Sequence, residues 1–92
     1  MIYKITSIKD REGRNKKEFY QKLKSVHPTM TGEILYPILD AKSGCLCFAW
    51  NDDSNKMLRT SPIQEFSNVN GTIEVISENS IYTLKSTSKN KL

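Results

Sequence analysis

The chain contains few of the residues that usually carry covalent or metal chemistry, and it has no long apolar run. Its 92 residues include two Cys, one His, three Pro and four Gly. A helix needs about 20 consecutive apolar residues to span a bilayer, and no stretch approaches that length. We therefore predict no membrane partner. The first eight residues lack a basic segment followed by an apolar block, so they predict a strand rather than a signal peptide.

The two cysteines, Cys45 and Cys47, do not make a disulfide framework. With no export signal, we expect a cytoplasmic protein in a reducing compartment. Both thiols point to one side of a predicted strand, but with His27 they supply only three of the four ligands that a closed zinc site needs. Catalysis by Cys47 and His27 would also need an orienting third group. We predict no enzyme activity, no metal and no cofactor.

Charge is unevenly distributed along the chain. The formal net charge is +4. Residues 4–24 carry eight basic and three acidic side chains, whereas residues 33–84 carry three basic and seven acidic ones. Three further lysines lie in residues 85–92. The pattern predicts a basic front (residues 4–24) and a basic tail on either side of an acidic β body.

The apolar periodicity predicts a mainly β protein of five or six short strands with one inserted helix. We expect one domain over residues 1–85 and a disordered basic tail over residues 86–92. The layout is typical of a small, partly open, SH3-like β-barrel, and a rolled sheet capped by the helix is the alternative. The predicted strands cover residues 2–8, 33–39, 44–50, 56–60, 72–77 and 80–85.

Two helical segments are predicted from capping patterns. The first covers residues 16–26, with Asn15 and Glu18 as a capping box and Phe19, Leu23 and Val26 on the buried face. His27-Pro28 ends it, because a residue that precedes proline avoids the α region. The second is a single helical turn over residues 61–66, opened by Ser61-Pro62 and placed before the last hairpin.

The strongest predicted strand, residues 44–50, alternates bulky and small side chains. Leu46, Phe48 and Trp50 are assigned to the core, although Trp50 at the strand's end is also a candidate exposed anchor. The small face, with Cys45 and Cys47, is expected where another element approaches closely, with the helix as the candidate. Asn70-Gly71 predicts a type I′ hairpin turn.

Two strings near the end of the chain, together with the Met-Ile-Tyr-Lys-Ile start, carry a family resemblance. They are Leu58-Arg-Thr-Ser-Pro-Ile63 and Asn79-Ser-Ile-Tyr-Thr-Leu84. In these features the chain resembles a group of small uncharacterised proteins of low-GC bacteria and their phages or prophages. The resemblance covers the first strand and the last third of the chain. It implies a mobile-element or accessory context but no reaction, substrate or catalytic residue.

The candidate binding residues are basic. Such a patch suits nucleic-acid phosphates, but three acidic residues are interleaved with it, and we favour solvated charge as the explanation. Arg59 has two interpretations: a binding residue, or the partner of Glu74 or Glu65 in a surface ion pair, which we favour. The candidate patch consists of Lys9, Arg11, Arg14, Lys16, Lys17, Lys24 and Arg59.

The function predicted from these features is a non-catalytic module that binds an unidentified protein partner. A nucleic-acid-binding small barrel that uses the basic front and the tail is the alternative. Complementary charge on one chain also suggests a homodimer, with the basic front of one copy against the acidic body of another.

Overall fold

The described residues form a single antiparallel sheet of seven strands with one helix against it. The computed structural model describes residues 2–35, 44–53 and 55–87. The strand order in the sheet is β4-β3-β2-β1-β7-β6-β5. The elements, in chain order, are β1 (Ile2–Asp10), α1 (Lys17–Val26), β2 (Thr31–Ile34), β3 (Cys47–Trp50), β4 (Met57–Arg59), β5 (Ile63–Val69), β6 (Thr72–Ser77) and β7 (Ser80–Ser86).

The sheet is rolled, because its two edge strands are joined by a very short connection. Only Thr60, Ser61 and Pro62 lie between β4 and β5. Four Cα steps reach at most about 14 Å, whereas the edges of a flat seven-stranded sheet would lie about 29 Å apart. Ile63 N–H donates to Gly44 O at 2.8 Å, which ties the start of β5 to the chain just before β3. No ladder pairs β4 with β5, so the sheet is open.

The core lies on the concave face of the sheet. The predicted bulky face of β3 is confirmed: Leu46 and Phe48 are fully buried, and Trp50 is 3% exposed. Strands from both ends of the strand order contribute to this one cluster, as expected for a sheet that curves around its own side chains. The other buried apolar residues of the cluster are Ile5, Ile8, Met30, Ile63, Ile73, Val75, Tyr82 and Leu84.

A β-bulge in β1 breaks the strict alternation of side chains along that strand. Strict alternation places Ile5 and Ile8 on opposite faces, but both are buried in the same cluster. In the pairing with β7, Ile5 lies opposite Leu84 and Ser7 opposite Thr83, so Thr6 is the extra residue. The bulge resets the alternation by one position and turns Ile8 inward.

The helix is present and ends at Val26, as predicted, but its predicted N-terminal cap is wrong and two of its three predicted buried residues are exposed. Residues 17–26 are helical, yet the N-cap is Lys16 and no side chain caps the helix, so the Asn15–Glu18 capping box does not form. Phe19 and Val26 are 40% and 60% exposed, whereas Tyr20 and Leu23 pack against the core. The helix packs against β1 and not against the small face of β3, where it was expected.

The predicted helical turn over residues 61–66 is also wrong, because β5 begins at Ile63. The capping signal in Ser61-Pro62 is local. It is overridden by the pairing of β5 with β6, which satisfies the backbone groups of several residues at once. The Asn70-Gly71 turn is confirmed: φ is 53° at Asn70 and 85° at Gly71, both positive as a type I′ turn requires.

Several predicted strand limits shift. The second strand begins at Thr31 and ends at Ile34, and the remainder of the predicted strand, including Pro37, lies outside the described residues apart from Leu35. The third is shorter than predicted, at Cys47–Trp50. The last runs to Ser86, and Thr87 N–H donates to Ile2 O at 2.9 Å. Residues 86 and 87 therefore belong to the sheet end rather than to a disordered tail, and residues 88–92 lie outside the described part of the chain.

Candidate functional site

Asp10 organises the loop that carries the first basic candidates. Its Oδ1 accepts hydrogen bonds from the backbone N–H groups of Glu12 and Arg14, each at 2.9 Å. The Arg14 guanidinium binds both Asp10, at 3.1 Å, and Glu12. The backbone N–H of Arg14, with help from the Arg14 side chain, lowers the pKa of the Asp10 carboxyl. The charge of Arg14 is therefore already partly neutralised within the loop.

Arg11 and Lys16 are held by hydrogen bonds to β5 and to the turn that joins β6 and β7. Arg11 Nη1 donates to Gln64 Oε1 at 2.7 Å and to the backbone oxygens of Ser77 and Glu78 at 3.2 and 3.4 Å. Lys16 Nζ donates to Ser80 Oγ at 2.7 Å. Both cations therefore bind the β6–β7 loop, and this gives them a structural role.

The two recognised strings meet at this point, in a group of hydroxyl hydrogen bonds. Ser77 Oγ donates to Ser80 O and accepts from Ser80 N–H. Ser61 Oγ accepts from Asn79 N–H at 3.4 Å, and Thr60 Oγ1 accepts from Leu46 N–H at 3.0 Å. We call this group, with the two cations, the polar corner: Arg11, Lys16, Thr60, Ser61, Ser77 and Ser80. Residues of both strings therefore stabilise the fold here through hydrogen bonds.

The remaining basic candidates lie on three different elements. Lys17 and Lys24 are exposed on α1, and Lys9 is half-buried beside the β1–β7 ladder. Arg59 is exposed on β4, three strands from β1 in the sheet order. Within the described residues, no ion pair joins Arg59 to Glu74 or Glu65. Of the seven candidates, only the two helix lysines share an element.

His27 is buried among ordered partners. It is 4% exposed and caps the C-terminus of α1 through a 2.7 Å hydrogen bond from its N–H to Leu23 O. Its imidazole stacks on Trp50, with ring centroids 4.2 Å apart and an interplanar angle of 7°. Nδ1 lies 3.1 Å from Asp52 Oδ1. Asp52 is thus an orienting partner that the sequence did not reveal, and Trp50 is a core residue.

His27 is not hydrogen-bonded to either cysteine in the described residues. Cys47 is buried, Cys45 is half-buried, and both thiols are free. Across the described ranges, no group of three or more His, Cys, Asp or Glu side chains is placed to hold a metal ion. The arrangement His27–Trp50–Asp52 therefore fastens the end of α1 to the end of β3.

A surface cavity of about 250 Å³ lies between the β1 bulge and the first turn of α1. Ile8 and Tyr20 are among the residues that line it. Lys16 lines the same cavity, but its ammonium group is bound to Ser80. The other lining residues are Thr6, Ser7, Asn15 and Lys17.

The edge of β5 is the most distinctive exposed feature of the fold. In a two-residue hairpin the residues that flank the turn form a hydrogen-bonded pair, here Val69 and Thr72. By alternation, Ser67 and Glu65 also bond to β6. The backbone N–H and C=O groups of Phe66 and Asn68 therefore point away from the sheet, and within the described chain they have no backbone partner. We call these groups the β5 edge.

Unlike β4, β5 carries little protection against pairing with another strand. Edge strands are commonly blunted by shortness, proline, lysine or bulges. β4 is only three residues long and has Lys56 and Arg59 at its ends. β5 is seven residues long, has no proline and no basic residue, and its single irregularity lies near its start, between Ile63 and Glu65.

No protein-family model matches the chain. No curated protein and no solved structure matches it either. In the described residues, no helix is long and apolar enough to cross a membrane.

The sequence contained one signal for the β5 edge. The Asn70-Gly71 turn requires a strand on each side, so the residues before it had to be extended. The capping pattern at Ser61-Pro62 instead predicted a helical turn over the first part of this segment. That this strand lies at an edge is a property of the strand order, which local patterns do not specify.

Proposed function

We propose that this protein is a non-catalytic binding module whose partner is another protein, and that it binds an extended segment of that partner at the β5 edge. The observation that carries the proposal is the pair of residues Phe66 and Asn68, whose four backbone groups face outward on a long, unprotected edge strand. An added strand satisfies such groups by main-chain hydrogen bonds, and neighbouring side chains supply the specificity.

We further propose that the rolled sheet is a small, partly open barrel of the SH3-like kind. Support comes from the three-residue connection between the two edge strands and from the hydrogen bond between Ile63 and Gly44. A barrel of this size is filled by its own side chains. Binding would then take place on the outside, which agrees with a non-catalytic role.

The proposal assigns no reaction to His27 or Cys47. The imidazole of His27 is covered on one face by Trp50 and is bonded at Nδ1 to Asp52. Cys47 is buried on β3. A nucleophile and base must lie within hydrogen-bond reach of each other or of a common substrate, and the described contacts of His27 are structural.

Proline substitutions on the two edge strands test the proposal. Asn68→Pro removes an outward N–H without removing a ladder hydrogen bond, so the fold should persist while strand addition is blocked. Met57→Pro is the matched control, because Thr60 N–H bonds inward to Leu46 and, by alternation, Met57 N–H faces outward on β4.

The measurement is recovery of a stoichiometric partner by tagged wild-type protein from host cells, followed by amide hydrogen exchange on the purified complex. The proposal expects Phe66 and Asn68 to gain protection in the complex, loss of the complex with Asn68→Pro, and retention with Met57→Pro. Equal recovery by the two proline variants, or protection confined to other strands, would contradict it.

Nucleic-acid binding is the second candidate, supported by the exposed lysines of α1. Lys17, Lys22 and Lys24 are exposed on α1, and α1 carries one acidic residue, Glu18. Fluorescence anisotropy with DNA and RNA at low and physiological salt tests it, since phosphate contacts make binding salt-dependent. The double variant Lys17→Glu/Lys24→Glu should abolish any such binding. Absence of binding below about millimolar concentration would eliminate this candidate.

We also propose a phage- or prophage-associated, cytoplasmic setting. The support is the resemblance carried by the strings at residues 58–63 and 79–84. The neighbouring genes test it: capsid, replication or defence genes beside this one would agree, and a chromosomal housekeeping operon would contradict it.

A further inference from the structure

The β5–β6 hairpin is acidic on a protein that is basic as a whole. Between Ser61 and Ser80 the chain contains three acidic residues, Glu65, Glu74 and Glu78, and no lysine or arginine. The complete chain has a net charge of +4. The hairpin that carries the β5 edge is therefore acidic by its own side chains, and two basic side chains lie beside it: Arg11 donates to Gln64 of β5 at 2.7 Å, and Lys85 on β7 pairs with Thr72.

Two of these carboxylates lie on the same outer face, Glu65 on the edge strand β5 and Glu74 on its neighbour β6. Glu65 is opposite Ile76 and Glu74 is opposite Ser67, so the two glutamates are diagonal neighbours. Diagonal positions in an antiparallel pair lie about 7–8 Å apart. Both side chains are exposed, and within the described residues neither has an ion-pair partner.

The inner face of the edge has a different character. Phe66 is half-buried, packs against the core and lies opposite Val75. Because successive side chains of a strand alternate between faces, a strand added at the edge would place one set of side chains beside Glu65 and the other beside Phe66.

We propose that the segment bound at the β5 edge is an extended stretch of a partner protein with Lys or Arg at every second position and apolar residues between them. One basic residue lies beside Glu65 on β5, another reaches across β5 toward Glu74 on β6, and the apolar residues lie on the inner face next to Phe66. This inference rests on the proposed function, since it names the chemistry of the segment bound at that edge. Complementary charge favours basic segments over acidic ones. The main-chain hydrogen bonds contribute affinity that is the same for any extended segment.

Two synthetic peptides test the charge preference. One is an end-capped octapeptide of alternating Lys and Val, and the other alternates Glu and Val. Binding is measured by fluorescence anisotropy at low salt and located by backbone amide shifts in NMR spectra of the full chain. We expect the Lys-Val peptide to bind at least about fivefold more tightly, with the difference shrinking at high salt because exposed charges are screened.

Variants of the full chain separate this inference from the proposed function. Glu65→Lys/Glu74→Lys should invert the preference between the peptides, and the milder Glu65→Gln/Glu74→Gln should abolish it. Asn68→Pro should weaken both peptides. If Asn68→Pro weakens both peptides but wild-type protein binds them equally, the charge inference is wrong and strand addition stands.

Two other outcomes overturn the inference. Amide shifts that lie away from Phe66 and Asn68, or binding unaffected by Asn68→Pro, would refute strand addition itself. A concentration-dependent dimer of the free protein that Asn68→Pro dissociates would place a second copy of this chain at the edge instead of a basic partner segment.

Discussion

Phe48 is the residue on which the core most directly depends. Its side chain is fully buried and makes an edge-to-face contact with Trp50, with ring centroids 5.0 Å apart. Trp50 in turn stacks on His27. Loss of the Phe48 ring would leave a cavity in the core beside Trp50.

We expect Phe48→Ala to reduce the free energy of unfolding by about 3–5 kcal/mol, because a buried aromatic side chain is lost and the site cannot fully collapse. A denaturant melt monitored by circular dichroism measures it. Met57→Ala, at a position 51% exposed, is the control and should change stability by less than about 0.5 kcal/mol. A loss below about 1 kcal/mol for Phe48→Ala would contradict the assigned core.

Arg11 belongs to the polar corner, and we expect its removal to affect the fold. Arg11→Ala removes hydrogen bonds to Gln64 and to the backbone oxygens of Ser77 and Glu78. The expected loss is about 1 kcal/mol. Lys24→Ala on the exposed side of α1 should leave the thermal midpoint unchanged. Equal melting of the two variants would show that Arg11 is a free surface charge.

Tyr82 makes stability depend on pH in the alkaline range. Burial raises the pKa of its phenol above the ordinary value near 10. Since the folded-state pKa is the higher one, the contribution of Tyr82 to stability is fully present below about pH 10 and is lost as pH rises through the folded-state pKa.

The measurement is the unfolding free energy of wild-type protein and Tyr82→Phe between pH 8 and 11. The wild-type curve should fall more steeply above about pH 10. Parallel curves for the two proteins would mean that the phenol is solvated in the folded state.

At the scale of elements, β2 is placed by a glycine that lets two strands approach. A Cβ atom at Gly32 would lie 2.0 Å from Ala49 O and 2.9 Å from the Phe48 ring. Gly32 pairs with Tyr3 on one side and with Trp50 on the other. The close approach to β3 therefore depends on the absence of a side chain.

We expect Gly32→Ala to destabilise the protein by at least about 2–3 kcal/mol, because the backbone of β3 must move to accept the methyl group. Thermal melting measures the effect. Glu33→Ala, on the exposed face of the same strand, is the control. A Gly32→Ala protein as stable as the control would show that β2 and β3 lie farther apart.

Local signals identified some elements and missed others. Alternation in residues 46–50 gave the buried face of β3, and Asn70-Gly71 gave the hairpin turn, because both depend on neighbours in sequence. The buried face of α1 was mispredicted and strict alternation fails in β1, because the contact of Tyr20 with the core and the bulge at Thr6 depend on strands far away in sequence.

At the scale of the whole molecule, β1 and β7 bring the two ends of the described chain together. Thr87 N–H and Oγ1 both donate to Ile2 O, at 2.9 and 3.1 Å. Ser86 N–H donates to Gly71 O at 2.8 Å. These bonds lie beyond residue 85, where the sequence predicted that the domain would end.

Two truncations test where the fold ends. A chain ending at Lys85 should be less stable than one ending at Thr87 by about 1–3 kcal/mol, because two to three hydrogen bonds are lost. Chemical denaturation of both proteins measures the difference. Equal stability would place the end of the fold at residue 85, as the sequence alone predicted.

The sequence by itself determined a small, mainly β protein with one short helix, a buried Leu46–Phe48–Trp50 face and a tight turn at Asn70-Gly71. Each of these follows from side-chain spacing or backbone preference within a few residues. The layout of the chain also suggested a barrel or a rolled sheet. Only the tertiary structure decided the order of the strands, that Arg11 and Lys16 bind the turn between β6 and β7, and that β5 presents an unpaired edge. Those features depend on which strands become neighbours, and that is decided by burial and hydrogen bonding summed over the whole sheet.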